Sequence, residues 1–104
     1  MATIRGTTPT ITFNLPFDVS EIRKCEVYFA QNDNLLLTKE TADCTLDGRT
    51  LSVTLTQEDT LRFEDDAKIE MQIRFVFTSG SVDATQIVKG KVGRILKDGE
   101  IDVD

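Results

Sequence analysis

Ala67-Lys68-Ile69-Glu70-Met71-Gln72-Ile73-Arg74-Phe75-Val76-Phe77 decides how the rest of the chain is read. Ile69, Met71, Ile73, Phe75 and Phe77 take every odd position, and Lys68, Glu70, Gln72 and Arg74 stand between them. Successive side chains of an extended strand point to opposite faces, so this alternation predicts one strand over residues 67–77 with a buried and a wetted face. The composition agrees. Of the 104 residues, 14 are Thr, 8 Ile and 8 Val, whose branched side chains suit a pleated surface better than a helix.

Working outward, the same period recurs. Residues 10–15 place Ile11, Phe13 and Leu15 on one face and Thr10, Thr12 and Asn14 on the other, and Pro16 ends that strand. Residues 23–31 set Cys25, Val27 and Phe29 against Lys24, Glu26 and Tyr28. Asn32-Asp33-Asn34 tolerates left-handed backbone angles and predicts a hairpin turn into a strand over 35–40. The inward set of that strand is open between Leu35 with Leu37 and Leu36 with Thr38. A short strand over 44–46 meets Asp47-Gly48, a hairpin pair, and residues 49–55 resume the alternation with Leu51, Val53 and Leu55. The last strand, 84–92, carries Ile87 out of step with Val88 and Val92, which predicts a bulge near Gly90.

Between the fifth and sixth strands the period is lost. Thr56 is followed three residues on by Asp59, which matches a capping box, with Glu58 and Asp59 at the positive end of a helical turn. The Thr56 hydroxyl is expected to accept from the Asp59 amide, and Leu61 and Phe63 to plug the core where the chain crosses between sheets. Seven short strands with one helical turn before the sixth predict an all-β, antiparallel Greek-key β-sandwich of immunoglobulin-like layout over residues 1–96. A small closed barrel is the alternative. Immunoglobulin hallmarks are missing: there is no Trp, and Ile69 and Met71 stand where the corner Tyr and second Cys would be. Cys25 is expected to face Met71 across the core as a small hydrophobe. Residues 97–104 read as a solvated, mobile tail.

The chain carries 18 acidic and 12 basic residues, a formal charge of −6. The tail holds four acids against one Lys, residues 56–67 carry −4, and residues 81–96 carry +2. An acidic pole, an acidic tail and a mildly basic edge fit docking to another protein better than binding nucleic acid or an anionic membrane. Histidine is absent. That removes the Ser-His and Cys-His nucleophile pairs and the usual zinc ligand sets, so no catalytic, cofactor-binding or metal-ligating residue is assigned. Glu64-Asp65-Asp66 with Glu58 and Asp59 matches no calcium loop and reads as capping and solvation. Gly90-Lys91-Val92-Gly93 has the spacing of an RNA-clamping loop but lies in strand-like sequence. Lys89, Lys91 and Arg94 are expected to guard an edge strand, which is also where a partner strand could add. Ser52, Ser79 and Ser81 have no activating base. Cys25 and Cys44 are expected to be free thiols, since residues 1–10 do not read as a signal peptide.

The chain resembles small prophage-encoded structural proteins of Gram-positive gut bacteria. The resemblance rests on Gly6-Thr7-Thr8-Pro9, on Ala30-Gln31, on Leu55-Thr56-Gln57-Glu58-Asp59-Thr60-Leu61 with Phe63, and on Gln72 with Arg74. In layout it is similar to the N-terminal β-sandwich of phage baseplate upper proteins, although no stalk or receptor-binding segment follows residue 96. The resemblance implies a non-enzymatic virion or assembly protein of the tail or baseplate. Its partners would be other virion proteins or further copies of itself, and its place the bacterial cytoplasm and then the particle. Residues 6–9 are expected to be a docking arm without internal partners. The rival expectation is a stand-alone module binding a carbohydrate or a host protein.

Overall fold

The computed structural model describes residues 2–104; Met1, the first residue of the predicted domain, lies outside them. Among the described residues nine strands form two sheets: β1 Ala2–Ile4, β2 Thr10–Asn14, β3 Ile22–Gln31, β4 Asn34–Glu40, β5 Cys44–Asp47, β6 Thr50–Thr54, β7 Lys68–Phe77, β8 Val82–Ala84 and β9 Val88–Gly93. The larger sheet runs β1-β9-β7-β3-β4, with β8 also on β7, and the smaller runs β2-β6-β5. Leu51, Val53 and Ile11 from the smaller sheet share one buried core with Val27, Phe29, Ile69, Met71, Ile73 and Phe75 from the larger. The molecule is therefore a two-layer all-β sandwich, and the closed-barrel alternative does not hold.

Six of the seven expected strands are present as single strands, and the count of seven is corrected at two places. A further strand, β1, pairs parallel with β9, so the sandwich is not wholly antiparallel. The expected last strand is split into β8 and β9. Its irregularity lies at residues 85–87 and not at Gly90, which pairs in regular register with Ile69. Val82 pairs with Val76 and Val88 with Met71, a slip of one residue between the two strands. Thr85 anchors the slip: its N–H donates to the Ile73 carbonyl (2.9 Å) and its hydroxyl accepts from the Ile73 N–H (3.0 Å).

A second bulge settles the ambiguous strand. Phe29 pairs with Leu37 but Ala30 pairs with Leu35, leaving Leu36 as the extra residue of β4. Leu37 is buried, Leu36 packs partly against the core, and Leu35 is 61% exposed. The β3–β4 turn is built as expected, with Asn32 and Asp33 both at positive φ (51° and 64°). The β5–β6 turn shifts by one residue: Asp47 pairs with Thr50, and Gly48, at φ 58°, opens the two-residue loop Gly48-Arg49.

The helical turn is α1, Gln57–Leu61, where the chain leaves the smaller sheet for the larger. Its capping box is complete. The Thr56 hydroxyl accepts from the Asp59 N–H (3.0 Å), and the Asp59 carboxylate accepts from the Thr56 N–H (2.9 Å). Phe63 is the plug, buried with its ring 6.0 Å from that of Phe29, whereas Leu61 is only half-buried. Cys25 pairs with Phe75 on the neighbouring strand and Met71 with Phe29, so Cys25 does not face Met71 across the core.

Candidate functional site: the outer face of the larger sheet

The buried face of β7 leaves its even positions on the outside, where they meet the even positions of β3. Tyr28 pairs with Gln72, Glu26 with Arg74, Ala30 with Glu70 and Lys24 with Val76. Tyr28, the one tyrosine of the chain, stands in the middle of this polar row. Its hydroxyl donates to a Glu26 carboxylate oxygen at 2.7 Å. Partial burial pushes its pKa up, and the bond to Glu26 and that carboxylate's charge push the same way.

A depression lies on each side of the ring. On one side about 180 Å³ opens between Lys24, Arg74, Val76 and Val82. On the other, about 340 Å³ opens between Ala30, Asp33, Leu35, Gln72 and Ile87. Ala30, whose side chain is a single methyl, lines the second only. Leu35 and Ile87, 61% and 54% exposed, form its apolar walls. Both walls are products of bulges. The extra residue in β4 turns Leu35 outward, and the slip at residues 85–87 puts Val88, not Ile87, opposite inward-facing Met71.

The residues singled out in the sequence are only partly gathered here. Lys89 and Lys91 project from the same outer face, opposite Glu70 and Lys68. β9 is not an edge strand along Lys91, Val92 and Gly93, because β1 covers it there. The edge of the larger sheet beyond β3 is β4, and an inward charge guards it: Lys39 reaches the Asp59 carboxylate at 2.8 Å, both side chains mostly buried. Burial raises the Asp59 pKa, but the hydrogen bonds and charge of Lys39 with the Thr56 amide outweigh it and hold the carboxyl below its usual value.

The segment 6–9 is not a free arm. The Pro9 carbonyl accepts from the Leu55 N–H (2.9 Å) and the Thr7 carbonyl from the Thr60 hydroxyl (2.9 Å). Just before it, Arg5 bonds the carbonyls of Phe63 and Leu61 and the Asp98 carboxylate. The tail residues 97–104 are exposed, and the Gln57 amide brackets the Ile101 main chain, donating to its carbonyl (2.9 Å) and accepting from its N–H (2.7 Å). At the acidic pole, the buried Gln31 side chain clamps the Glu64 main chain through both its amide atoms, at 2.7 and 2.8 Å. Among the described residues no group of three or more His, Cys, Asp or Glu is placed to hold a metal ion. Ser52 bonds Thr12, and Ser79 bonds Ser81, across exposed surface.

Cys25 and Cys44 are both free thiols. The neighbouring Cys44 thiol, whose S–H donates to the Glu40 carbonyl (3.4 Å), brings the Cys25 pKa down to about 7, with the Thr41 hydroxyl adding and burial opposing. The neighbouring Cys25 thiol, with burial, pushes Cys44 up. Tyr28, Ala30 and Leu35 were not marked as a site in the sequence. The available signal was a lone aromatic residue on an otherwise polar strand face.

These features define a β-sandwich with a walled outer sheet face. No protein-family model matches the chain, and no curated protein sequence matches it. Among solved structures, it is similar to the V domain of amphioxus IgVJ-C2, with a TM-score of 0.37 and 9% identity over 89% of this chain and 99% of that one. It is also similar to extracellular domains 3-5 of Drosophila OTK, with a TM-score of 0.36 and 15% identity, covering 93% of this chain but 32% of that one. No helix among the described residues is long and apolar enough to cross a membrane.

Proposed function

We propose that this is a non-enzymatic docking domain of a phage or prophage particle, a component or assembly factor of the tail or baseplate, that binds another virion protein through the outer face of the larger sheet. The phage assignment rests on the sequence resemblance. The docking role rests on one observation, the apolar-walled depression beside Tyr28 set among charged residues. An interface of this kind works by seating a partner side chain in a desolvated pocket while the surrounding charges select the partner. Lys68, Lys89 and Lys91 at one end of the face fit a partner that is acidic there. The topology is taken as an immunoglobulin-like Greek key in which β1 and the split last strand are additions. The sandwich of residues 1–96 carries the interface and residues 97–104 form its acidic, solvated tail. Synthesis in the bacterial cytoplasm precedes incorporation, and self-association through the same face is compatible with this role.

The test uses particles purified from a producing strain. Mass spectrometry should find the protein in them, and an Ala30→Arg variant, which fills the depression from a half-buried position on the outer face, should fold normally and be lost from particles. Normal incorporation of Ala30→Arg would overturn the assigned face, and absence of the wild-type protein from particles and assembly intermediates would overturn the phage role. A second reading is favoured by the Tyr28 ring lying beside Gln72, Glu70 and Asp33, a set that also suits a sugar ring. Binding of the isolated domain on a glycan array, abolished by Tyr28→Ala, would select that reading.

A further inference from the structure

β2 lies at one end of the three-stranded smaller sheet, and among the described residues it has a neighbouring strand, β6, on one side only. The phase of that pairing fixes which main-chain groups are left over. The Leu15 N–H donates to the Arg49 carbonyl (2.8 Å) and the Pro9 carbonyl accepts from the Leu55 N–H (2.9 Å), so the odd positions turn toward β6. Main-chain groups alternate sides along an antiparallel strand, and those of Thr10, Thr12 and Asn14 therefore turn to the open edge.

Free edges invite pairing, and proteins blunt them with charge or brevity. Lys39 in β4, Asp47 in β5 and Asp83 in β8 put a charge on each of those edge strands, and β1 has only 3 residues. β2 carries no charge. It lies within residues 6–17, the longest stretch without a charged side chain in a molecule of formal charge −6. Two like-charged copies meet there with least repulsion. The edge is also self-complementary, since the open groups of Thr10 and Asn14 stand symmetrically about those of Thr12.

We propose that two copies of this chain pair through their β2 edges, antiparallel about a two-fold axis at Thr12, so that their smaller sheets become one continuous sheet. Thr12 then faces the partner's Thr12 and Thr10 the partner's Asn14, and each facing pair exchanges both N–H···O bonds. On the inner face Ile11 lies opposite the partner's Phe13. Beside Ile11 a depression of about 240 Å³ reaches Met71 and the exposed Val88, and it receives that ring. Phe13, half-buried in one copy, is covered in the pair. This edge belongs to the smaller sheet, apart from the Tyr28 face, and the pairing does not depend on the docking role.

The test is sedimentation velocity on the purified full chain over a range of concentrations, with two variants at the axis. The wild type should rise from the chain mass of 11.6 kDa toward twice that value as concentration increases. Thr12→Lys and Thr12→Glu, which set like charges face to face across the axis, should each stay monomeric with an unchanged circular dichroism spectrum. Mixed in equal amounts, the two should recover the dimer, because a strand that faces its own copy at residue 12 then puts Lys opposite Glu. In the wild type, amide exchange followed by NMR should slow with concentration at Thr10, Thr12 and Asn14. A wild type that stays monomeric, exchange at these amides that ignores concentration, single variants that still dimerise, or a mixture that stays monomeric would each overturn the proposal.

Discussion

The two faces of β7 are made by the same eleven-residue pattern and behave differently. On the inner face Ile69, Met71, Ile73 and Phe75 are at most 2% exposed; Ile69 pairs with Gly90, and Met71, Ile73 and Phe75 pair with Phe29, Val27 and Cys25 in an unbroken register. On the outer face the shape depends on neighbours that arrive through irregular strands, Leu35 from a bulged β4 and Ile87 from the slip between β8 and β9. The contrast separates residues that hold the sandwich together from residues that give its surface a form. The inner face is constrained by close packing, where each lost methylene is felt, while the outer face is free to vary in whatever it presents.

The largest effect that would break this contrast is on the inner side. Phe29→Ala removes a ring packed on Phe63 and Met71 and is expected to cost about 3–5 kcal/mol, read as the shift of the urea midpoint. Next comes the charged exception to the apolar interior. Asp59→Ala leaves Lys39 facing the core margin unpaired and removes half of the capping box, and should cost roughly 2–4 kcal/mol.

Asp59 also sets a pH signature. Its carboxyl is lowered in the folded protein, so its contribution is present above the unfolded value of about 3.9 and is lost as pH falls through the lower folded value. Urea midpoints measured between about pH 2 and 5 should therefore fall with acid in the wild type and fall less steeply in Asp59→Asn. A smaller loss, about 1 kcal/mol, is expected for Thr56→Ala, which deletes the other half of the box. Smallest of all is Tyr28→Ala on the outer face, at about 1 kcal/mol or less in stability. The same variant should abolish partner binding as measured by calorimetry, and an equal loss of stability to Phe29→Ala would erase the distinction between the faces.

The hairpin turn at Asn32-Asp33, the strand face of β7 and the Thr56–Asp59 box were legible before any coordinates. Each is a local matter: left-handed backbone angles, a two-residue period, and a hydroxyl three residues from the amide that it caps. The candidate site was not legible in the same way. Ile87 could be seen to be out of step, but whether the break fell at residue 85 or at Gly90 depended on which residue of β7 lay opposite. Nothing in the sequence singles out Lys39, which becomes an inward charge because α1 places Asp59 beside it, and β1 is a strand through its parallel pairing with β9. The two cysteines read as separate small hydrophobes because Thr41, which bonds the main chain of each, belongs to neither strand's pattern.

What the amino-acid order determines alone is therefore the phase of each strand, which side is greasy and where the chain must turn, since these follow from neighbours one to four residues apart. Registers between strands, the two bulges, the depression beside Tyr28 and the tie of the Cys25 and Cys44 main chains to Thr41 arise from residues brought together by the tertiary fold. Period two fixes a side chain's face only relative to its own strand. One inserted residue reverses that face, and only pairing with a neighbouring strand decides where the insertion falls.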